Sequence, residues 1–218
     1  MDSSAVYLPL FVRIDGRPCL LVGGGEVAYR KAQQLQTARA KLTVVAPSLC
    51  PALERLLADE KCVWQQREYI SPEARHYCLV IAATDDPVVN RQIFTDSEAY
   101  GVPVNVVDQP QLCSVIFPSV IRRNPITLAV SSGASVPFLT RYLRQHLEHF
   151  LAGFHQLDKP AILLQFRDFV RQRVQDPAVK DRLYQRLLAC DEKQWAGWSD
   201  ASPPLDQWAA WIEEEKTR

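Results

Sequence analysis

The stretch Cys19-Leu20-Leu21-Val22-Gly23-Gly24-Gly25-Glu26-Val27-Ala28 decides the fold. A short apolar run feeds a glycine cluster, and a helical pattern follows at once. Gly23, Gly25 and Ala28 stand at G-x-G-x-x-A spacing, which marks the first strand–turn–helix of a dinucleotide-binding fold. Gly23 allows the tight turn. Gly25 lets backbone approach a pyrophosphate with no Cβ in the way, and Ala28 lets the helix pack closely on the strand. A phosphate placed there meets unpaired N–H groups and the positive end of a helix dipole. The spacing alone also suits an ordinary glycine turn. Its position between a buried strand and a helix favours the nucleotide.

Working outward, strands and helices alternate to about residue 113. Strands are expected at 18–22, 41–45, 62–65, 78–83 and 102–107, with helices at 26–38, 53–57 and 88–100. In the first helix Val27, Ala28, Leu35 and Ala38 are expected near one face, with Ala32 between turns. The run 78–83 is apolar throughout, as in the middle of a parallel sheet. Asp85-Asp86-Pro87 after it is a helix-start signal. Parallel strands place all their C-terminal ends on one edge, where open α/β sheets bind ligands. The fold class is therefore α/β, with a Rossmann-type parallel sheet.

The pattern changes after Pro110. Two apolar strands, 114–121 and 126–130, flank Arg122-Arg123-Asn124-Pro125 with no crossover helix between them, which is a small β-hairpin unit. Ser131-Ser132-Gly133-Ala134-Ser135-Val136-Pro137 then leads into a helix expected over 138–150. Ser135 is its expected cap, and Pro137 falls in its first turn. Beyond Lys159 the chain reads as helical. The expected organisation is a dinucleotide-binding domain (1–113), a dimerisation segment (114–150) and a C-terminal helical domain (151–218). The hairpin strands follow a sheet that already looks complete, so their apolar faces call for a second copy of the chain.

Composition narrows the class. The 218 residues carry 25 Lys plus Arg against 25 Asp plus Glu, so no overall field draws the chain to nucleic acid or to a membrane surface. The N-terminal MDSSAVYLPL has no basic segment before an apolar core, and no run approaches the ~20 apolar residues of a membrane span. Six scattered cysteines, Cys19, Cys50, Cys62, Cys78, Cys113 and Cys190, show no C-x-x-C or His-linked spacing. They read as buried or incidental thiols of a cytoplasmic protein. His146 and His149 stand three apart but belong to no metal-ligand set.

One usual element is missing. The second strand of an NAD-binding fold commonly ends in an acid that pairs with the ribose 2′-hydroxyl. Here Val44-Val45 is followed by Ala46-Pro47-Ser48, with neither that acid nor an arginine for a 2′-phosphate. Pattern alone leaves NAD and NADP both open.

The segments Val22-Gly23-Gly24-Gly25-Glu26-Val27-Ala28 with Arg30-Lys31, Ala82-Ala83-Thr84-Asp85-Asp86, Asn105-Val106-Val107-Asp108, Phe117-Pro118-Ser119 and Ser131-Ser132-Gly133 occur in this order in one family. The chain resembles the precorrin-2 dehydrogenase/sirohydrochlorin ferrochelatase module of siroheme synthase, over about residues 5–150. Multifunctional members carry a uroporphyrinogen methyltransferase as well; this chain stops at Arg218 and resembles the stand-alone form. The resemblance implies NAD-dependent oxidation of precorrin-2 to sirohydrochlorin. In several members it also implies insertion of Fe2+, a substrate held only transiently, to give siroheme. A homodimer joined through the hairpin is implied too. Dehydrogenase activity without chelation is one alternative, and a non-catalytic NAD-sensing dimer is another. A short-chain dehydrogenase would need Tyr-x-x-x-Lys, which the chain lacks.

The expected site follows. Gly23, Gly24, Gly25, Glu26 and Val27 face the pyrophosphate, with Ala46, Pro47 and Ser48 beside the adenosine and Ala83 and Thr84 across the crevice. Asp108 ends a strand at the ligand edge, and the resemblance makes it the base for both reactions. It also suits a plain turn before Gln109-Pro110. The tetrapyrrole's carboxylates call for donors, which Asn105, Ser131, Ser132 and Gly133 offer. Arg122, Arg123, Arg141, Arg144, Arg167 and Arg171 are further candidates. Ser131 and Ser132 also suit plain helix capping.

Overall fold

A computed structural model describes residues 6–58, 62–133 and 135–217; the first five residues of the N-terminal stretch read above lie outside it. The chain divides into two compact units, Met1–Phe117 with Gly133–Ser135, and Pro118–Ser132 with Val136–Arg218.

The first unit is a five-stranded sheet of β1 (Pro18–Val22), β2 (Lys41–Val45), β3 (Cys62–Gln65), β4 (Leu79–Ala82) and β5 (Val104–Val106). Its order is β3-β2-β1-β4-β5, and every neighbouring pair is parallel. Three helices, α1 (Glu26–Thr37), α2 (Pro51–Leu57) and α3 (Pro87–Ala99), connect the strands. Alternate strand residues point to opposite faces. Leu20, Val22, Val80 and Val104 therefore join Ile93 of α3 in one core. Cys19, Leu21, Val44 and Ile81 join Ala28, Ala32 and Leu35 of α1 in the other. Burial on both faces explains why β1 and β4 read as continuous apolar runs. The stripe on α1 differs from expectation. Ala28, Ala32 and Leu35 are buried, whereas Val27 and Ala38 are half-buried. The 4-then-3 spacing of the buried three follows the helical repeat more closely.

The chain leaves β1 for β2 and β3, then crosses back to place β4 on the other side of β1. That reversal opens a crevice between β1 and β4 at the C-terminal edge. None of the six cysteines forms a disulfide. Cys19 Sγ lies 3.8 Å from Cys78 Sγ, and burial, reinforced by Cys78, pushes its thiol up to about 12.

In the second unit β6 (Ser119–Arg123) and β7 (Ile126–Val130) form an antiparallel pair on which α4 (Pro137–Ala152) packs. The first hairpin strand starts later than expected because Ser114 and Val115 are tied to β5. Ser114 and Val115 both donate backbone N–H groups to the Val104 carbonyl, at 3.0 and 3.1 Å. Ser135 is not the cap of α4. Val136 holds that position without a side-chain cap, and its N–H donates to Ser132 Oγ at 2.9 Å. Helices α5 (Pro160–Arg173), α6 (Pro177–Leu188), α7 (Glu192–Gly197) and α8 (Leu205–Lys216) follow. Proline at the first position starts α2 to α6, where a missing N–H costs no helical bond. Ile162, Phe166 and Val170 of α5, Val179, Leu183 and Leu187 of α6, and Trp208, Trp211 and Ile212 of α8 form one core with Trp195 and Trp198. No described helix is long and apolar enough to cross a membrane.

Candidate active site

The glycine turn owes its shape to three different constraints. Gly23 has φ +125°, and a Cβ there would lie 2.2 Å from the Ala83 carbonyl oxygen. A Cβ on Gly24 would lie 1.8 Å from the Ser48 carbonyl oxygen. Both residues are glycine because neighbouring backbone leaves no room: Gly23 N–H donates to Val45 O at 2.9 Å and Cys50 N–H donates to Gly24 O at 2.7 Å. Gly25 differs. Its φ is −85°, open to any residue, and a Cβ would meet nothing within 4 Å. Nothing in the protein's own packing requires a glycine there. Gly25 is also the N-cap of α1 and lacks a side-chain cap. The first turn of α1 thus faces open space with its N–H groups available, a cradle that suits a pyrophosphate and that a larger residue would fill.

The cleft in front of this turn measures about 740 Å3 and lies wholly in the first unit. Gly23, Gly24, Gly25, Glu26 and Val27 line it, and so do Ala46, Pro47, Ser48, Ala83, Thr84 and Asp108. Its size is that of a small-molecule or cofactor site. Thr84 holds one wall, its Oγ1 donating to Asn90 Oδ1 at 2.8 Å. Asp86 caps α3, its Oδ1 accepting from Val88 N at 2.7 Å and Val89 N at 3.3 Å.

Asp108 follows β5 with φ +59°, a left-handed conformation unusual for a residue with a side chain. The turn around it is tied down. Val107 N–H donates to Ala82 O at 2.9 Å, and Gln109 N–H to Val106 O at 3.3 Å. Cys113 adds a thiol that faces the Val106 and Gln109 carbonyls at 3.2 and 3.3 Å and accepts from Val106 N–H at 3.3 Å. The exposed Asp108 carboxylate is thus presented from a fixed turn. Lys31 of α1 stands near it, with Nζ 4.0 Å from the centre of the Phe117 ring. Burial, aided by Arg30, pushes the Lys31 ammonium below its usual range, against the opposing pull of Cys113 and Asp108.

The remaining expected residues lie outside this cleft lining. Asn105 is buried, and its Nδ2 donates to Val115 O at 3.0 Å. Gly133 belongs to the first unit with φ +62°, whereas Ser131 and Ser132 belong to the second. Arg123 pairs with Asp158 at 2.7 Å and also bonds the Leu151 carbonyl, while Arg144 pairs with Glu148. His146 Nδ1 meets Tyr142 O at 3.0 Å. Among the described residues no cluster of His, Cys, Asp and Glu could hold a metal ion.

Sequence reading missed the wall made by Arg67, Glu68 and Tyr69, which follow β3. The signal was present: a parallel strand beside β2 must end at the same edge. The contacts are Ala46 N–H to Gln65 O at 3.3 Å, Trp64 Nε1 to Ala46 O at 3.0 Å and Gln66 Nε2 to Pro47 O at 3.3 Å.

This is the ligand edge of a dinucleotide-binding fold. A family model described as "Putative NAD(P)-binding" matches residues 10–119, about half the chain, and the chain belongs to that family. It is 46% identical over 172 residues to the siroheme synthase of Ectopseudomonas mendocina (strain ymp), covering 78% of this chain and 36% of that protein. It is 40% identical over 216 residues to the siroheme synthase of Nitrosospira multiformis, covering 96% of this chain and 44% of that one. The chain therefore spans less than half the length of these relatives. Its fold matches that of a solved structure, SirC, precorrin-2 dehydrogenase, with a TM-score of 0.69 at 18% identity, covering 97% of this chain and all of that one.

Proposed function

We propose that the chain oxidises precorrin-2 to sirohydrochlorin with NAD+. One observation carries the reading: a single cleft joins the open Gly25 cradle to the Asp108 carboxylate. The relatives named siroheme synthase supply the substrate class. The balance is precorrin-2 plus NAD+ giving sirohydrochlorin, NADH and one proton. Bound in the cleft, the nicotinamide supplies a hydride acceptor. Gly23, Gly24, Gly25, Glu26 and Val27 hold the pyrophosphate, Ala46, Pro47 and Ser48 flank the adenosine, and Ala83 and Thr84 form the facing wall. Asp108 takes the proton at its carboxylate oxygen. Asn105 fixes the strand next to that turn, while Ser131, Ser132 and Gly133 are assigned to the substrate's carboxylates.

Asp108→Asn is the decisive variant, because asparagine keeps the size and tolerates the left-handed turn while removing the base. Oxidation should fall by roughly 10²- to 10⁴-fold with NAD+ binding intact, followed as NADH absorbance. Near-normal turnover would overturn the assignment of Asp108.

We extend the reading to insertion of Fe2+ into sirohydrochlorin, which releases two pyrrolic protons that Asp108 accepts one at a time and passes to water. Supplying Fe2+ and sirohydrochlorin to the purified chain separates a bifunctional enzyme from a dehydrogenase alone. We further assign 114–150 to dimerisation in a cytoplasmic homodimer. The two-stranded sheet, although α4 packs on it, leaves Ile126 and Leu128 of β7 incompletely covered. Light scattering that found a monomer at micromolar concentration would refute the dimer.

A further inference from the structure

We propose that Glu73 masks Arg67 and thereby makes the cleft reject a 2′-phosphorylated dinucleotide. The inference rests on the dinucleotide reading of the cleft. In this fold the residue closing β2 faces the adenosine ribose. Here β2 is followed by Ala46-Pro47-Ser48, which carries no charge to discriminate one cofactor from the other. The adjacent loop after β3 supplies the charge instead, since Trp64 and Gln66 bind it to the Ala46 and Pro47 carbonyls.

Arg67 is a cation on that wall of the cleft, the residue type that accommodates a 2′-phosphate. Four of its five N–H donors are already engaged. Nη1 donates to Glu73 Oε1 at 2.9 Å and to Glu68 O at 2.8 Å, while Nη2 donates to Glu73 Oε2 at 2.6 Å and also reaches Gln65 Oε1. The two-pronged pair with Glu73 neutralises the guanidinium and fixes its plane. Glu73 is itself held, accepting from Ile70 N–H at 2.9 Å, and its side chain is only 15% exposed. Burial pushes the Glu73 carboxyl up, but Arg67 and the Ile70 N–H outweigh it and leave the group below its usual range, so it is ionised at neutral pH. Exposed Glu68 adds a further negative charge to the same wall. A dianionic phosphate brought here meets a neutralised arginine and a carboxylate. A ribose hydroxyl meets no such penalty.

Glu73→Gln tests the masking. Glutamine keeps an acceptor for Ile70 N–H and removes the charge, while the Gln65 side chain and Glu68 carbonyl continue to hold Arg67 in place. Calorimetric titration of the full chain with NAD+ and NADP+ is the measurement. The unaltered chain should bind NAD+ at least about tenfold more tightly. Glu73→Gln should gain about tenfold for NADP+, a single charge-assisted contact, and stay within about twofold for NAD+. The gain should shrink at high salt and vanish when Arg67→Leu is added. Glu73→Asp, a milder change measured alongside, should give a smaller gain of the same sign. Unchanged NADP+ affinity in a variant that still binds NAD+ would overturn the masking alone. So would a gain that survives Arg67→Leu, or equal binding of both cofactors by the unaltered chain. Failure of NAD+ to bind the unaltered chain would overturn the dinucleotide reading as well.

Discussion

The sheet unit and the helical unit bury cores of opposite character. In the sheet unit the core is small and aliphatic: Leu20, Leu21, Val22, Val44, Val80, Ile81, Ala28 and Ala32 sit in rows fixed by strand and helix repeats. In the helical unit it is aromatic. Phe166 meets Trp208 and Trp211 edge-on, with ring centres 5.0 and 6.0 Å apart, and Trp195 meets Trp198 at 5.2 Å. Lys159 Nζ reinforces the end of α7 there, donating to the Trp195 and Ala196 carbonyls at 2.5 and 3.2 Å. The difference bears on function. A parallel sheet collects its strand ends at one edge, so its core pattern also locates the ligand. Large rings packed between helices define an interior but point to no particular face.

Gly25→Val should break this comparison most severely. A Cβ there meets no protein atom within 4 Å, so the sheet unit should still fold, yet the branched side chain fills the cradle before α1. Calorimetry should then show no NAD+ binding. By contrast Gly24→Ala places a Cβ into the Ser48 carbonyl and should lower thermal stability itself. Retained NAD+ affinity in folded Gly25→Val would show that the cradle is not the phosphate site.

Trp208→Ala probes the other unit. It removes a fully buried ring from the aromatic core and should cost about 3–5 kcal/mol of stability there, read by denaturant unfolding monitored through tryptophan fluorescence. NAD+ affinity at temperatures below the transition should stay within about twofold, since the cleft lies wholly in the first unit. A parallel loss of NAD+ binding would show that the two cores are coupled.

What was legible in the sequence follows the same division. The five strands, the glycine turn and the Asp86 helix start were all readable, because each is set by local pattern and backbone chemistry. Gly23, Ala46, Thr84 and Asp108 could be placed on one edge for the same reason. Other features depend on contacts between distant residues. The pairing of Arg67 with Glu73 was hidden because it crosses a loop with no repeat. The late start of β6 was hidden because Ser114 and Val115 are claimed by Val104. Ser132 supplanted Ser135 at the start of α4 for want of any rule that chooses between two nearby serines.

The Arg67–Glu73 pair also makes the smallest prediction, a pH effect confined to the sheet unit. Glu73 is held below 4.5 in the folded chain and returns to that value on unfolding. A carboxyl whose native value is depressed contributes stability above the unfolded value and loses it as pH falls through the folded one. Both side chains are partly exposed, at 32% and 15%, so solvent screens the pair and its worth is at most about 1 kcal/mol. The difference in unfolding free energy between the unaltered chain and Glu73→Gln should therefore be constant from neutral pH to well above 4.5. It should then narrow on further acidification. A difference that instead widened below 4.5 would mean that Glu73 is destabilised by its burial more than it is held by Arg67. Its pairing with Arg67 would then be weaker than the geometry implies, and the selective wall of the cleft would lose part of its physical basis.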